Sequence, residues 1–277
     1  MKVSLNSFAK LNLSLKVFSL DKNNLHPISS IFKQINLYDT LEIQAIPSTT
    51  PTLILSAEGL KIPLGSENIL HKIFGSLSTS LKYSYKVHIK KNIPLGSGMG
   101  GASSNAATFL TFINQIEMCN WSLSELQTIS HSFGSDIAFF FLGGTQDVSG
   151  FGNTLSKVSN PNSFPNYFTI IYPNILCSTK DVYAHFDYMK HTNASFLVND
   201  KKVNNDLFPV VLDLFPEMKN IYKTLSTLSK KPIQLTGSGS TFFVSHDNLS
   251  ESEAYKTKIL KEFPSFFVKA VSGALTE

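Results

Sequence analysis

Hydrophobic and polar positions alternate near the start of the chain. Leu11, Leu13, Leu15 and Val17 recur at every second residue, the period of a half-buried strand. The first fifty residues read as strand throughout. Thr52 to Ala57 and Tyr85 to Lys91 repeat the pattern, the second with Val87 and Ile89 on one face. Between them, Asn68 to Leu81 changes to a helical period, with Ile69, Ile73 and Leu77 at i, i+4 and i+8. Residues 102–118 also read as helix: Ala106, Leu110 and Ile113 share a face, with Phe109 and Ile116 beside it. Ser122-Leu123-Ser124-Glu125 is a capping box that opens another helix, and Gly134 is placed to end it.

Asn160 to Asn166 (NPNSFPN) is the best linker in the sequence. After it the pattern restarts with a strand at Tyr167 to Tyr172 and a helix from Pro216 that turns Met218, Ile221, Leu225 and Leu228 inward. Strand-like segments follow at Ile233 to Thr236 and Thr241 to Ser245. Ser250, with Glu253 three residues on, is expected to cap a helix, and Phe266 to Ser272 is a final strand. There is no internal repeat. The expected architecture is α+β with two domains, residues 1–159 and 160–277.

Composition narrows the class. With 42% hydrophobic residues in 277 and a net charge of only +4, the chain is not of the disordered kind. Its 22 Phe supply apolar area without a polar handle, as a core requires. The 24 basic against 20 acidic residues are scattered, Lys90–Lys91 being the densest point near any motif, so no nucleic-acid partner is expected. Cys119 and Cys177 fit neither a disulfide framework nor a metal knuckle, and both read as buried small hydrophobes in a reducing compartment. The N-terminus lacks the apolar core of a signal peptide. The longest apolar run is the six residues Ile137 to Leu142, against about 20 for a membrane span. A cytoplasmic protein without a membrane partner is expected.

The chemistry concentrates in Pro94 to Ala107, PLGSGMGGASSNAA, where four of the six residues from Gly96 to Gly101 are glycine. The segment follows a strand and precedes a helix. Glycines let backbone N–H groups approach a ligand closely, and a helix start adds free donors and the positive end of its dipole. Ser103, Ser104 and Asn105 add side-chain donors and a cap. A phosphate cradle is the reading, although composition alone also fits a flexible turn. It is not a Walker A loop, because no Lys follows the glycines. Nor is it a Rossmann fingerprint, because the repeated βαβ units are missing.

The string P-x-G-x-G-x-G-G-x-S-S-N-A-A resembles the second motif of the GHMP kinases, which phosphorylate small molecules. Its last residues are most similar to one branch, the 4-diphosphocytidyl-2-C-methyl-D-erythritol kinases of non-mevalonate isoprenoid precursor synthesis. Ser7 to Leu15 (SFAKLNLSL) resembles the first motif, with Ser7-Phe8 in place of the usual Pro. Gly134 to Phe140 (GSDIAFF) resembles the branch's G-A-D-V-P-F-F, with Ala138 where Pro is usual, and Leu235 to Phe243 (LTGSGSTFF) resembles the third motif.

The resemblance implies a two-domain fold with the active site in the cleft between the domains, and ATP and Mg²⁺ as cofactors. It makes the substrate a cytidine-diphosphate-linked polyol. Asp136, which heads a short apolar helix ended by Gly143-Gly144, becomes the group that accepts or orients the proton of the substrate hydroxyl. Lys10, facing one polar side of its strand with Asn12, becomes the cation that keeps Asp136 ionised. Pro94, Leu95, Gly96, Ser97, Gly98, Met99, Gly100, Gly101, Ala102, Ser103 and Ser104 are expected to hold the triphosphate, with Asn68 and Lys91 nearby. Gly237, Ser238 and Gly239 bring backbone donors from the second domain, and Asn12, His26 and Tyr183 serve the substrate. Leu25 stands where the branch usually carries Tyr, so base stacking falls to Tyr183. No acidic metal ligand is named; Ser104 is the candidate. Alternatives are another small alcohol, homoserine or mevalonate, or a non-catalytic nucleotide- or RNA-binding module.

Overall fold

Two long strands open the chain in this computed structural model, which describes residues 1–192 and 204–274. They are β1 (Lys2–Val17) and β2 (Ile28–Pro47), and each contributes to both of the compact units into which the chain divides.

One unit comprises Met1–Ala9, Leu37–Leu95 and Gly100–Gly143. It contains β3 (Leu53–Gly59), α1 (Ile69–Leu77), β4 (Tyr83–Lys91), α2 (Gly101–Ile116), α3 (Leu123–Ser130) and α4 (Ile137–Phe140). Strand β4 runs antiparallel to β2, with Thr40 opposite Lys90, and parallel to β3, with Leu53 opposite Tyr85. A parallel pair needs a crossover, and α1 supplies it. Helix α2 buries Ala106, Phe109, Leu110, Phe112 and Ile113 in one cluster with Leu41, Ile43, Tyr85 and Val87. Each fully buried Phe or Leu contributes about 1.5–3 kcal/mol. Just beyond α2, the Glu117 carboxylate accepts from Lys82 N at 2.9 Å, Tyr83 N at 3.2 Å and Tyr85 Oη at 2.6 Å. Burial and this carboxylate push the Tyr85 phenol up from its ordinary pKa. The capping box at Ser122 forms as expected.

The other unit comprises Lys10–Asn36, Gly96–Met99 and the described residues from Gly144 onward. In it β2 pairs with β5 (Thr145–Gly150), Ile28 opposite Gly150, and β5 pairs with β6 (Thr154–Lys157). A separate antiparallel sheet is ordered β10-β7-β9-β8 from β7 (Tyr167–Tyr172), β8 (Ile233–Leu235), β9 (Phe242–His246) and β10 (Phe267–Ser272). The helices are α5 (Thr179–His191), α6 (Phe208–Leu214), α7 (Pro216–Leu228) and α8 (Leu249–Glu262). Met218 and Leu225 of α7 enter its core, with Ile221 and Leu228 packed against it.

Three local expectations are corrected. Helix α8 is capped by Asn248, whose Oδ1 accepts from Glu251 N at 2.9 Å, and not by Ser250 two residues later. Helix α2 has no side-chain cap: it begins after Gly100 at φ 73°, so Ser103, Ser104 and Asn105 lie inside the helix. Cys119 is half-exposed, whereas Cys177 is buried, with its thiol pushed up to about 11 by that burial. The segment around Asn160 carries a short 3₁₀ turn, Pro161–Ser163. Among the described residues, no helix is long and apolar enough to cross a membrane.

Candidate active site

Strand β1 is covered on both faces at its middle, where Ala9, Lys10, Leu11 and Asn12 are all buried. Lys10 is 3% exposed. Its Nζ donates to Asn12 Oδ1 at 2.6 Å and lies 4.7 Å from the Phe32 ring centroid, a cation–π distance. A buried ammonium without such company would cost several kcal/mol. The Lys10 backbone N–H donates to Met99 O at 3.0 Å, which ties the glycine loop to the strand.

Gly98 of that loop has φ +76°, and a Cβ there would stand 2.5 Å from Thr236 O and 2.8 Å from Gly239 O. Only glycine permits that approach. A Cβ on Gly237 would lie 3.6 Å from Asn12 Oδ1 and 3.7 Å from Lys10 Nζ. Thr236 Oγ1 accepts from Asn12 N at 3.0 Å and lies 3.0 Å from Asn12 Oδ1. Thr241 N donates to Ser97 O at 3.3 Å. Within one unit, therefore, Lys10 and Asn12, Ser97 to Met99, and Thr236 to Gly239 form a single polar cluster. Ser238 Oγ is 2.8 Å from Thr179 Oγ1, at the start of α5.

His26 and Tyr183 are also brought together. The His26 Nδ1 faces Phe18 O at 2.7 Å and its Nε2 faces Asp187 Oδ2 at 3.1 Å. Its ring lies 5.3 Å from that of Tyr183 at an interplanar angle of 33°. Leu25 beside it is 52% exposed, an apolar surface in place of an aromatic face.

The remaining residues lie in the other unit. Asn68 caps α1: its Oδ1 accepts from Leu70 N at 3.0 Å and its Nδ2 donates to Pro63 O at 2.8 Å. Lys91 is buried in an ion pair with Asp39, whose other oxygen accepts from Asn92 N at 2.8 Å and Ile93 N at 2.9 Å. Burial pushes the Lys91 ammonium down from its ordinary pKa, and the Asp39 charge offsets only part of this. A Cβ on Gly101 would meet Lys91 Nζ at 2.9 Å, so this ammonium underlies the first residue of α2. No acidic residue occupies the first turn of α2. That donor set fits an anionic phosphate. Ser104 Oγ accepts from Ser7 Oγ at 2.8 Å, both buried. Ser103 reaches the turn before Asp136: its Oγ is 4.0 Å from where a Gly134 Cβ would sit. Asp136 is half-buried at the start of α4, where its side chain makes no capping hydrogen bond to the helix. Pro94 is buried, while Leu95, Gly96 and Ala102 are exposed.

Sequence reasoning missed Asp39, Ser30 and Thr236. Asp39 carried a readable signal, because it occupies the inward register of Leu37, Leu41 and Ile43. An acid on an apolar face needs a buried partner. Among the described residues no group of three or more His, Cys, Asp or Glu side chains forms a metal site.

Residues 68–144 match the family described as GHMP kinases N terminal domain. A 4-diphosphocytidyl-2-C-methyl-D-erythritol kinase of Buchnera aphidicola is 31% identical over 275 residues, 95% of this chain and 91% of the relative. One from Persephonella marina is 31% identical over 86% of this chain and 89% of its own length. A crystal structure of 4-(cytidine 5'-diphospho)-2C-methyl-D-erythritol kinase superposes with a TM-score of 0.77 at 22% identity, over 98% of this chain and all of the other. Homoserine kinase from Cytophaga hutchinsonii gives 0.68 at 17% identity, over 99% of this chain and 95% of the other. The structural likenesses speak to the fold.

Proposed function

The chain belongs to the family of 4-diphosphocytidyl-2-C-methyl-D-erythritol kinases, and on that premise we propose how its residues divide the work of phosphorylating this polyol with ATP in isoprenoid precursor synthesis. The observation that carries the reading is the cluster in which Lys10, Asn12, Gly98 and Gly237 approach one another within a few ångströms. A buried cation among glycine backbones suits a transferring phosphoryl group, whose reaction depends mainly on position and charge stabilisation.

Asp136 takes or orients the proton of the substrate hydroxyl as that oxygen bonds to the γ-phosphorus and the bond to the β-phosphate oxygen breaks, releasing ADP. Lys10 supplies the fixed positive charge that polarises the hydroxyl and steadies the transferring phosphoryl group. Asn12 fixes the Lys10 ammonium through its Oδ1. Residues Pro94 to Ser104 cradle the triphosphate with Lys91 beneath the start of α2, and Asn68 supports the nucleotide side as the cap of α1. Gly237, Ser238 and Gly239 add backbone donors. His26 and Tyr183 receive the cytidyl end, with Leu25 covering one side of the base. Ser104 is the residue of this chain that would help hold Mg²⁺, which when bound would offset the negative charge of the phosphates. The reaction is placed in the cytoplasm.

Single-turnover transfer tests the assignment. Asp136→Ala is expected to slow the chemical step by about 10²–10⁴-fold while ATP binding by calorimetry holds. Lys10→Met is expected to do the same. A near-normal rate in either variant refutes the role given to that residue.

A further inference from the structure

Thr236 stands directly before Gly237-Ser238-Gly239, at the edge of the Lys10 cluster. Its hydroxyl touches three parts of the cluster. It accepts the backbone N–H of Asn12 at 3.0 Å, lies 3.0 Å from Asn12 Oδ1 and lies 3.3 Å from Gly98 O. The residue is fully buried, so water does not compete for these contacts.

Counting hydrogens fixes the directions. A threonine hydroxyl has one hydrogen to give. Thr236 Oγ1 already accepts from Asn12 N, so its one hydrogen goes to Asn12 Oδ1 at 3.0 Å, the nearer acceptor, and Gly98 O at 3.3 Å is left the weaker contact. Ser30 Oγ donates to Ser14 O and therefore accepts the Asn12 Nδ2 hydrogen at 3.1 Å. Asn12 Oδ1 then has both lone pairs engaged, one by Lys10 Nζ and one by Thr236. A flipped amide would aim N–H groups at the Lys10 ammonium and lose the bond to Ser30. Thr236 and Ser30 therefore clamp opposite ends of one amide, and that amide holds Lys10.

We propose that Thr236 is a positioning residue for phosphoryl transfer, acting through Asn12 on the Lys10 ammonium. The Lys10 backbone N–H donates to Met99 O at 3.0 Å, so the strand that carries this ammonium is itself tied to the glycine loop. The inference rests on the kinase reading given above, but the clamp itself is a structural claim that can be measured without turnover. A displacement of about 1 Å at a reacting group is enough to cost on the order of 10²-fold in rate.

The experiment compares Thr236→Val, which keeps the shape and deletes the hydroxyl, with Thr236→Ser, which keeps the hydroxyl and deletes the methyl. Thr236→Val is expected to lower kcat by about ten- to a hundredfold with the KM for ATP and the Tm little changed. Thr236→Ser is expected to restore kcat to within a few-fold. Independently of activity, the side-chain amide resonances of Asn12 should be sharp in the wild type and in Thr236→Ser, and shifted or broadened in Thr236→Val. Two results overturn the proposal: Asn12 resonances unmoved in Thr236→Val, or a kcat loss that Thr236→Ser does not rescue and that follows Tm. If the wild type phosphorylates no alcohol while the Asn12 resonances respond as described, the clamp stands and the kinase reading fails.

Discussion

Replacing Asp39 by alanine removes the only carboxylate paired with Lys91 among the described residues, and the structure sets the scale of the damage. Asp39 is 0% exposed and the Lys91 side chain 2%, so neither charge has water to fall back on. Breaking a buried pair by deleting one partner costs about 3–5 kcal/mol. Asp39→Ala also strands the N–H of Ile93, which is buried, at about 1–3 kcal/mol; the N–H of Asn92 has water within reach. A loss of about 4–8 kcal/mol is expected, comparable to the whole stability of many domains. Lys91→Met should cost less, because the carboxylate left behind keeps two backbone donors at 2.8 and 2.9 Å. The double variant Asp39→Asn with Lys91→Met removes both charges and keeps an amide oxygen for those donors, so it should lie within about 1 kcal/mol of the wild type. Urea denaturation, with midpoint and slope fitted for all variants, gives the ranking. Equal losses for Asp39→Ala and Lys91→Met, or a double variant as unstable as Asp39→Ala, would refute this account of the pair. In the folded double variant the KM for ATP should still rise, which separates the part of Lys91 at the phosphates from its part in folding.

Other consequences follow from the same reasoning. Gly98→Ala should abolish phosphoryl transfer, because a Cβ would press to 2.5 Å on Thr236 O at φ +76°; wild-type kcat in a folded variant would contradict that close packing. Glu117→Ala leaves two backbone donors and the Tyr85 hydroxyl without an acceptor, so a loss of about 2–4 kcal/mol is expected by denaturation, with kinetics of the remaining folded protein unchanged. Burial, assisted by the Lys231 charge, holds His246 below its ordinary pKa of 6.5. Its neutral form is favoured in the folded state, so its contribution is present above about pH 6.5 and lost as pH falls through the lower folded value. Stability should therefore drop more steeply below pH 6.5 in the wild type than in His246→Gln, and parallel pH curves would contradict this. Tyr183→Ala should raise the KM for the cytidyl substrate with ATP kinetics held, since no aromatic at residue 25 stands in for the lost ring.

Much of the fold was legible where burial follows a simple period. The α2 and α7 stripes and strand β7 appear where the periodicity predicts them, and the Ser122 capping box is as the sequence indicates. Helix α8 starts earlier than expected because the Asn248 side chain accepts from the Glu251 N–H, which caps the helix two residues before Ser250. The start of α2 was misread for a different reason: the left-handed Gly100 begins the helix through backbone conformation, which leaves no side-chain signature. Helix α5, capped by Ser178, and helix α6, with Pro at its start, went unread, the first because its buried Val182, Phe186 and Met189 are sparse among polar residues. A division at residue 160 describes the chain in order, whereas the compact units take their residues from several stretches, including Gly96–Met99 alone from the middle of a loop. Contacts between residues far apart in sequence have no local pattern to announce them. The motifs located Lys10, the glycine loop and Gly237, but the hydroxyl of Thr236 joins them across 224 positions.

The central claim is tested most directly by incubating the purified chain with ATP and Mg²⁺ and, separately, with 4-diphosphocytidyl-2-C-methyl-D-erythritol, homoserine or mevalonate, following ADP release and weighing the products. The account predicts ADP release dependent on the cytidyl polyol, matched one for one by a singly phosphorylated product, and little turnover of the other two. Phosphorylation of homoserine or mevalonate in preference to the cytidyl polyol, or of none of the three, would contradict it.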